Sequence, residues 1–196
     1  TPENAVVNPS FTLDDYSQSY VVNDSALVLR DVQNSKLVPI FNFRDNRFDS
    51  VRGFDRPPSA LGLKDLSGSC FVTDGPNLVY VIGGTQHLCG EERSRGQIVQ
   101  PKVVGLSFLK SFDARQNRFS FEKILPPMIS ARTTHGCNAV RISDRRSIIV
   151  VGGIGSGGDL LASVEYLPID DDGGRDERGW QTLAGKLIQP RSHFPT

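Results

Sequence analysis

Hydrophobic and polar positions alternate in short runs along this chain, and the runs recur in one order. Two are near-copies: VYVIGG (Val79 to Gly84) and IVVGGI (Ile149 to Ile154) each carry β-branched residues into a double glycine. Apolar runs this short, rich in Val, Ile and Phe and bounded by turn residues, predict β-strands. Around the second copy the order is an apolar run from Cys137 to Ile142, then SIIVVGG, SVEYLPI, the polar turn DDDGGRDERG, and GWQTLAG. Around the first it is SCFVT, LVYVIGG, VVGLSFLKSF and RFSFEKI. Gly83 with Gly84, and Gly152 with Gly153, suit a second strand that ends in a tight turn at positive φ. Arg132 and His135 stand before one unit, and Arg191 and His193 echo that pair near the far end.

Four strands per unit, with a double glycine closing the second, is the order of the kelch repeat. The fold class expected is therefore all-β, a kelch-type β-propeller with about three blades present of a probable six. Residues 1–196 form one propeller portion, with approximate blades at 4–41, 68–125 and 136–185, and 186–196 opening the next. In the first blade QSYVVND, ALVLRDV and KLVPIF stand as strands two to four, with Asn23 and Asp24 in place of the glycines. Residues 42–58 then read as the connection into the second blade. Tyr166 and Trp180 are expected between blades, and Phe119 or Phe121 takes the tryptophan's place in blade two. Half a ring would expose blade faces that want a neighbour, either more chain or a partner.

Gly83 and Gly152 lie 69 positions apart, against a usual kelch period of about 50. The surplus fits the loop from Thr85 to Pro101, with His87, Cys89, Glu91, Glu92, Arg93 and Arg95, and the turn from Asp113 to Arg118. Insertions on loops are where binding is usually found.

Charge narrows the partners. Twenty-two basic and twenty-two acidic residues cancel, so an electrostatic partner must be met by a local patch. No apolar run approaches a membrane-spanning length, and membrane association is not expected. Cys70, Cys89 and Cys137 lack the close pairing of a zinc site, so Cys70 and Cys137, each in a first strand, read as buried small hydrophobes in a reducing compartment.

The residues between the repeats resemble a particular family. NAVVNPSFTLDDY (Asn4 to Tyr16), ALVLRDVQNSKLVPIF, RPPSAL (Arg56 to Leu61), VVGLSFLKSFDARQNRFSFEKI and SARTTHGCNAV are similar, in order, to the kelch-propeller subunits of V(D)J recombinases. Divergence points to a RAG-like transposon version. The resemblance implies a non-catalytic, nuclear accessory subunit that binds the catalytic recombinase or transposase subunit. It would support terminal-repeat or signal-sequence DNA binding, synapsis and cleavage, two copies of each subunit forming a heterotetramer. Catalytic carboxylates and Mg or Mn would belong to the partner, with no cofactor in this chain. The family carries a basic pair on the turn between strands three and four of blade two, where this sequence has Arg115 and Arg118. They are the first candidates for phosphate contact, followed by Arg93, Arg95 and Lys102 in the long loop. The family's longer basic hairpin in blade one has no counterpart in VVNDSALV. The alternative is a general kelch interaction module, such as a ubiquitin-ligase adaptor or an actin-associated protein.

No catalytic set emerges from the residues. A copper-dependent kelch oxidase needs clustered Tyr, His and Cys ligands, and this chain has three histidines. His135 and His193 are expected to make structural hydrogen bonds, and His87 with Cys89 is half a metal site. Asp170, Asp171 and Asp172 lie on a glycine-rich turn, so a solvated hairpin tip is expected rather than a metal centre. Arg145 with Arg146 reads as a turn. Arg44, Arg47, Arg52 and Arg56 alternate with Phe41, Phe43, Phe48 and Phe54, but Asp45, Asp49 and Asp55 neutralise them, which suits an ordered interface loop.

Overall fold

The runs predicted as strands pair into antiparallel sheets in a computed structural model that describes residues 18–22, 26–30, 38–42, 46–51, 66–74, 77–86, 102–113, 118–169 and 179–193. No helix occurs among the described residues, and none is long and apolar enough to cross a membrane.

The first four-stranded sheet takes β1 (Gln18–Val22), β2 (Ala26–Arg30), β3 (Val38–Asn42) and β4 (Arg47–Val51) in chain order. Its last strand corrects the sequence reading, because Arg47–Val51 belongs to the sheet and not to a connection. Asn46, in the left-handed region at φ 49°, leads into β4, and Phe41 pairs across from Phe48. Among the described residues β4 pairs with β3 alone, and a strand at a sheet edge tolerates charged residues of the kind that made this segment look like a loop.

Next come β5 (Leu66–Ser67), β6 (Cys70–Asp74), β7 (Leu78–Ile82), β8 (Thr85–Gln86), β9 (Lys102–Val103), β10 (Ser107–Asp113) and β11 (Arg118–Leu125). β6, β7, β10 and β11 form the second sheet, in the order β11-β10-β7-β6. β12 (Arg132–Thr133), β13 (Gly136–Ile142), β14 (Arg145–Val151), β15 (Ile154–Gly155), β16 (Val164–Pro168) and β17 (Gln181–Thr182) follow, with β13-β14-β16-β17 as the third. Ser143 and Asp144, both at positive φ, close the two-residue turn between β13 and β14, as hairpin twist favours. Arg145 and Arg146 therefore sit in a strand, not in the turn.

The core lies between the second and third sheets. Val72, Tyr80, Ile82, Leu109 and Leu125 meet Ile148, Val150, Leu167, Ile169 and Trp180 there. The opposite face of the second sheet also buries Phe71, Val79, Val81 and Phe108, which is why LVYVI reads as an unbroken apolar run. Trp180 fills the inter-sheet space as expected and donates through Nε1 to the Pro126 carbonyl at 2.9 Å. Tyr166 lies opposite Ile149 on the other face of the third sheet, where it is half-buried and its hydroxyl donates to Gln181 at 2.7 Å. Phe121 is 43% exposed, so it does not stand in for the tryptophan.

A disulfide joins Cys70 to Cys137 across this seam, which corrects the reading of both as unpaired small hydrophobes. Register explains the pairing. Cys70 lies opposite Ile82, the residue before Gly83, whereas Gly136 lies opposite Val151, the residue before Gly152. The cysteines are thus one position out of step between repeats. With a side-chain period of two, that offset turns them to opposite faces of their sheets, and those faces meet. Asp74 and Arg146 form an ion pair across the same seam.

Candidate functional site

Three backbone hydrogen bonds recur from repeat to repeat and place the motif residues. The first glycine donates to the residue before the third strand, Gly83 to Leu106 at 2.7 Å and Gly152 to Ser163 at 3.1 Å. The second donates to the arginine that opens the next repeat, Gly84 to Arg132 at 2.9 Å and Gly153 to Arg191 at 2.8 Å. Thr134 donates to Gly68 at 2.8 Å, and His193 donates in turn to Thr134 at 2.9 Å. Gly68, Thr134 and His193 share a left-handed φ of 63°, 51° and 56°. His193 therefore occupies the place of Thr134 and not of His135, and it is exposed where His135 is buried.

Arg132 is buried at the centre of this arrangement. Its Nε donates to the Ser130 carbonyl at 3.3 Å, and its Nη1 to the carbonyls of Gly152 at 2.9 Å and Ser163 at 3.2 Å. Its Nη2 reaches the Ser163 hydroxyl at 3.1 Å and forms an ion pair with Glu165. The Glu165 carboxylate also accepts the backbone N–H groups of Ile129 at 2.9 Å and Ser130 at 3.0 Å. Burial lowers the Arg132 pKa, and the Glu165 charge opposes that shift. These contacts occupy both charged ends inside the protein, so the cluster braces β12 against β16 and presents nothing to a ligand. Sequence reading found Arg132 and missed Glu165. Its signal was a lone carboxylate in the apolar run SVEYLPI.

His135 is enclosed between the two glycine turns. A Cβ on Gly83 would lie 2.8 Å from His135 Cε1 and 2.5 Å from the Arg132 carbonyl oxygen. One on Gly153 would lie 2.8 Å from His135 Cβ and 2.7 Å from the Thr133 carbonyl oxygen. Neither ring nitrogen has a hydrogen-bond partner among the described residues, which corrects the expectation of a structural hydrogen bond. Burial first, and the Arg132 charge second, push its pKa down to about 3. The ring is neutral near neutral pH and cannot reach an external substrate.

Gly153 has φ 98° as well as the carbonyl against it. Gly153→Ala is expected to cost about 3 kcal/mol through backbone strain and forced displacement. Urea unfolding measures it, and wild-type stability would refute the close approach.

No family model matches the chain, and no curated protein matches it. Among solved structures, that of YjhT is similar in fold. The TM-score is 0.53 at 14% identity, over 90% of this chain and 53% of that one. The likeness is one of architecture, antiparallel all-β sheets, and this chain spans about half the length of YjhT.

Of the proposed phosphate contacts, Arg118 and Lys102 are among the described residues, and they lie apart. Arg93, Arg95 and Arg115 lie outside the described residues, as do His87, Cys89 and Asp170 to Asp172. Arg118 opens β11 opposite Asp113, at the end of the second sheet where β6 turns into β7. Lys102 is exposed on β9 opposite Gln86, beyond the double-glycine end. The second sheet separates the two. An open cavity of about 230 Å³ at the hairpin end of the third sheet is lined by Ala139, Val140, Arg141, Arg146, Ser147 and Ile169. It is smaller than small-molecule sites, which run to roughly 300–1,000 Å³. No group of three or more His, Cys, Asp or Glu able to hold a metal occurs among the described residues.

Proposed function

We propose that this chain is part of a kelch-type β-propeller and serves as a non-catalytic accessory subunit of a RAG-like DNA recombinase or transposase. The propeller reading is supported by the recurring bonds from each double glycine to the arginine of the next repeat and by the hydrogen-bond chain through Gly68, Thr134 and His193. Such a chain relates successive units by one repeated operation, as a propeller does. The functional reading rests on the colinear sequence resemblance, above all the segments outside the repeat motif. In it the subunit is nuclear, and its partner supplies the carboxylates and the Mg or Mn. The β10–β11 hairpin, carrying Arg115 and Arg118, lies against the phosphates of terminal-repeat DNA.

Co-purification with a recombinase subunit bearing an acidic catalytic triad, on terminal-repeat DNA at low salt, tests the assembly. Failure to associate would end this reading. Arg115→Ala with Arg118→Ala is expected to weaken DNA binding by the assembled complex and to reduce its salt dependence by about two phosphate contacts. An unchanged salt slope would remove the hairpin from the interface.

The Cys70–Cys137 disulfide favours a second reading, a propeller interaction module that matures in an oxidising compartment, because disulfides are rare in nuclear and cytosolic proteins. Thiol trapping in the producing cell separates the two. Free thiols at both positions fit the nuclear subunit, and an intact bond fits the module.

A further inference from the structure

The seam between the second and third sheets holds a titratable group that the Arg132–Glu165 brace does not use. His135 leads directly into β13, fully buried, against Gly83 from the second sheet and Gly153 from the third. Met128 closes on the same turn, its Cε 2.8 Å from a Cβ placed on Gly83. Among the described residues, the charged or titratable groups in this neighbourhood are Arg132 on β12, Glu165 on β16, and the exposed Arg191 and His193, whose backbones bond Gly153 and Thr134. The glycine turns, Met128, Thr133, Thr134 and the disulfide carry no charge.

Protonation would place a second positive charge beside the Arg132 guanidinium. The one neighbouring carboxylate already holds Arg132 and the N–H groups of Ile129 and Ser130. An imidazolium also needs acceptors for two N–H groups, and neither ring nitrogen has one in the closed seam. A route to relief is opening, so that the ring reaches water.

We propose that His135 is an acid-sensitive latch: its protonation opens the double-glycine end of the seam and releases the Gly84–Arg132 and Thr134–Gly68 hydrogen bonds. The disulfide and the Asp74–Arg146 pair lie beyond the latch on the same seam, so the sheets stay tethered while that end opens. The sign follows from the two protonation states. The imidazole titrates at its ordinary 6.5 once released and at about 3 when enclosed. Between those values the open state binds a proton that the closed state refuses. The closed seam is therefore fully favoured above pH 6.5 and loses ground as the pH falls towards 3. The opening constant is expected to rise about tenfold per pH unit over that window.

Amide hydrogen exchange on the oxidised protein, corrected for intrinsic rates, tests this between about pH 7.5 and about pH 5. Opening at Gly84 and Thr134 is expected to rise about tenfold per unit below the ordinary histidine value, while amides within β7 and β14 stay protected. His135→Leu is expected to abolish the pH dependence at those two amides. If that variant does not fold, ¹⁵N titration of the wild-type ring supplies the readout, with the closed form neutral down to the lower end of the range. A ring titrating near its ordinary value in the closed protein would overturn the latch. So would exchange at Gly84 and Thr134 that is flat with pH, or acid loss of protection spread evenly over every strand.

Discussion

Reducing the Cys70–Cys137 disulfide is expected to lower the stability of the chain by about 4 kcal/mol. The bond closes a loop between residues 67 positions apart, and the loss is the loop-closure entropy returned to the unfolded chain. Trp180 is the single tryptophan and is packed in the core, so its fluorescence reports urea unfolding with and without reductant. Alkylation of the unfolded, unreduced protein is expected to label only Cys89, and all three cysteines after reduction. Three labels before reduction would show that the bond does not form. One label together with an unchanged midpoint would show that it forms without stabilising. Cys70→Ala is expected to reproduce the effect of reductant, because the remaining thiol adds no constraint.

This bond marks where sequence reading ran out. The double glycines were legible because their chemistry is local: a left-handed turn with a carbonyl or side chain close to the missing Cβ. The strands of the second and third sheets were legible from apolar alternation, and Arg132 from its position before the repeat. The pairing of Cys70 with Cys137 depends instead on register, which follows from where each hairpin turns. β6 turns into β7 across three residues, 75–77, and β13 into β14 across Ser143 and Asp144. An offset of one position decides which face a side chain takes, and no local pattern announces it. His193 misled for a related reason. It follows Arg191 by two positions where His135 follows Arg132 by three, and the backbone bonds assign it to Thr134. β4 was hidden by charge, since Arg47 and Asp49 lie on a strand that pairs, among the described residues, with β3 alone. Glu165 was hidden by context, because a carboxylate in an apolar strand acquires meaning only once Arg132 is placed against it. Arg115 and Arg118 came from resemblance and Arg93, Arg95 and Lys102 from the basic residues of the long loop; Arg118 lies at one end of the second sheet and Lys102 on β9 beyond its other end.

Removing the Glu165 carboxylate is expected to cost 3 to 5 kcal/mol, roughly what breaking a buried ion pair costs. Two penalties act together in Glu165→Ala. Arg132 keeps its charge in a buried position, and the Ile129 and Ser130 N–H groups lose their acceptor. The segment from Met128 to Arg132 would then lose its tie to β16, although Met128 still donates to the Gly105 carbonyl at 2.8 Å. Arg132→Met alone leaves the carbonyls of Gly152 and Ser163 without their side-chain donor and Glu165 charged and buried. Arg132→Met with Glu165→Met removes both charges and keeps comparable volume. The double variant is therefore expected to be less destabilised than the sum of Arg132→Met and Glu165→Met made singly, by about 2 kcal/mol or more. Urea midpoints read through Trp180 give all corners of the cycle. Strict additivity would mean that the two side chains brace the seam independently, each through its own backbone contacts. A positive coupling would place the stability of this connection in the ion pair itself, and a natural variant that lost one partner would then be expected to lose the other.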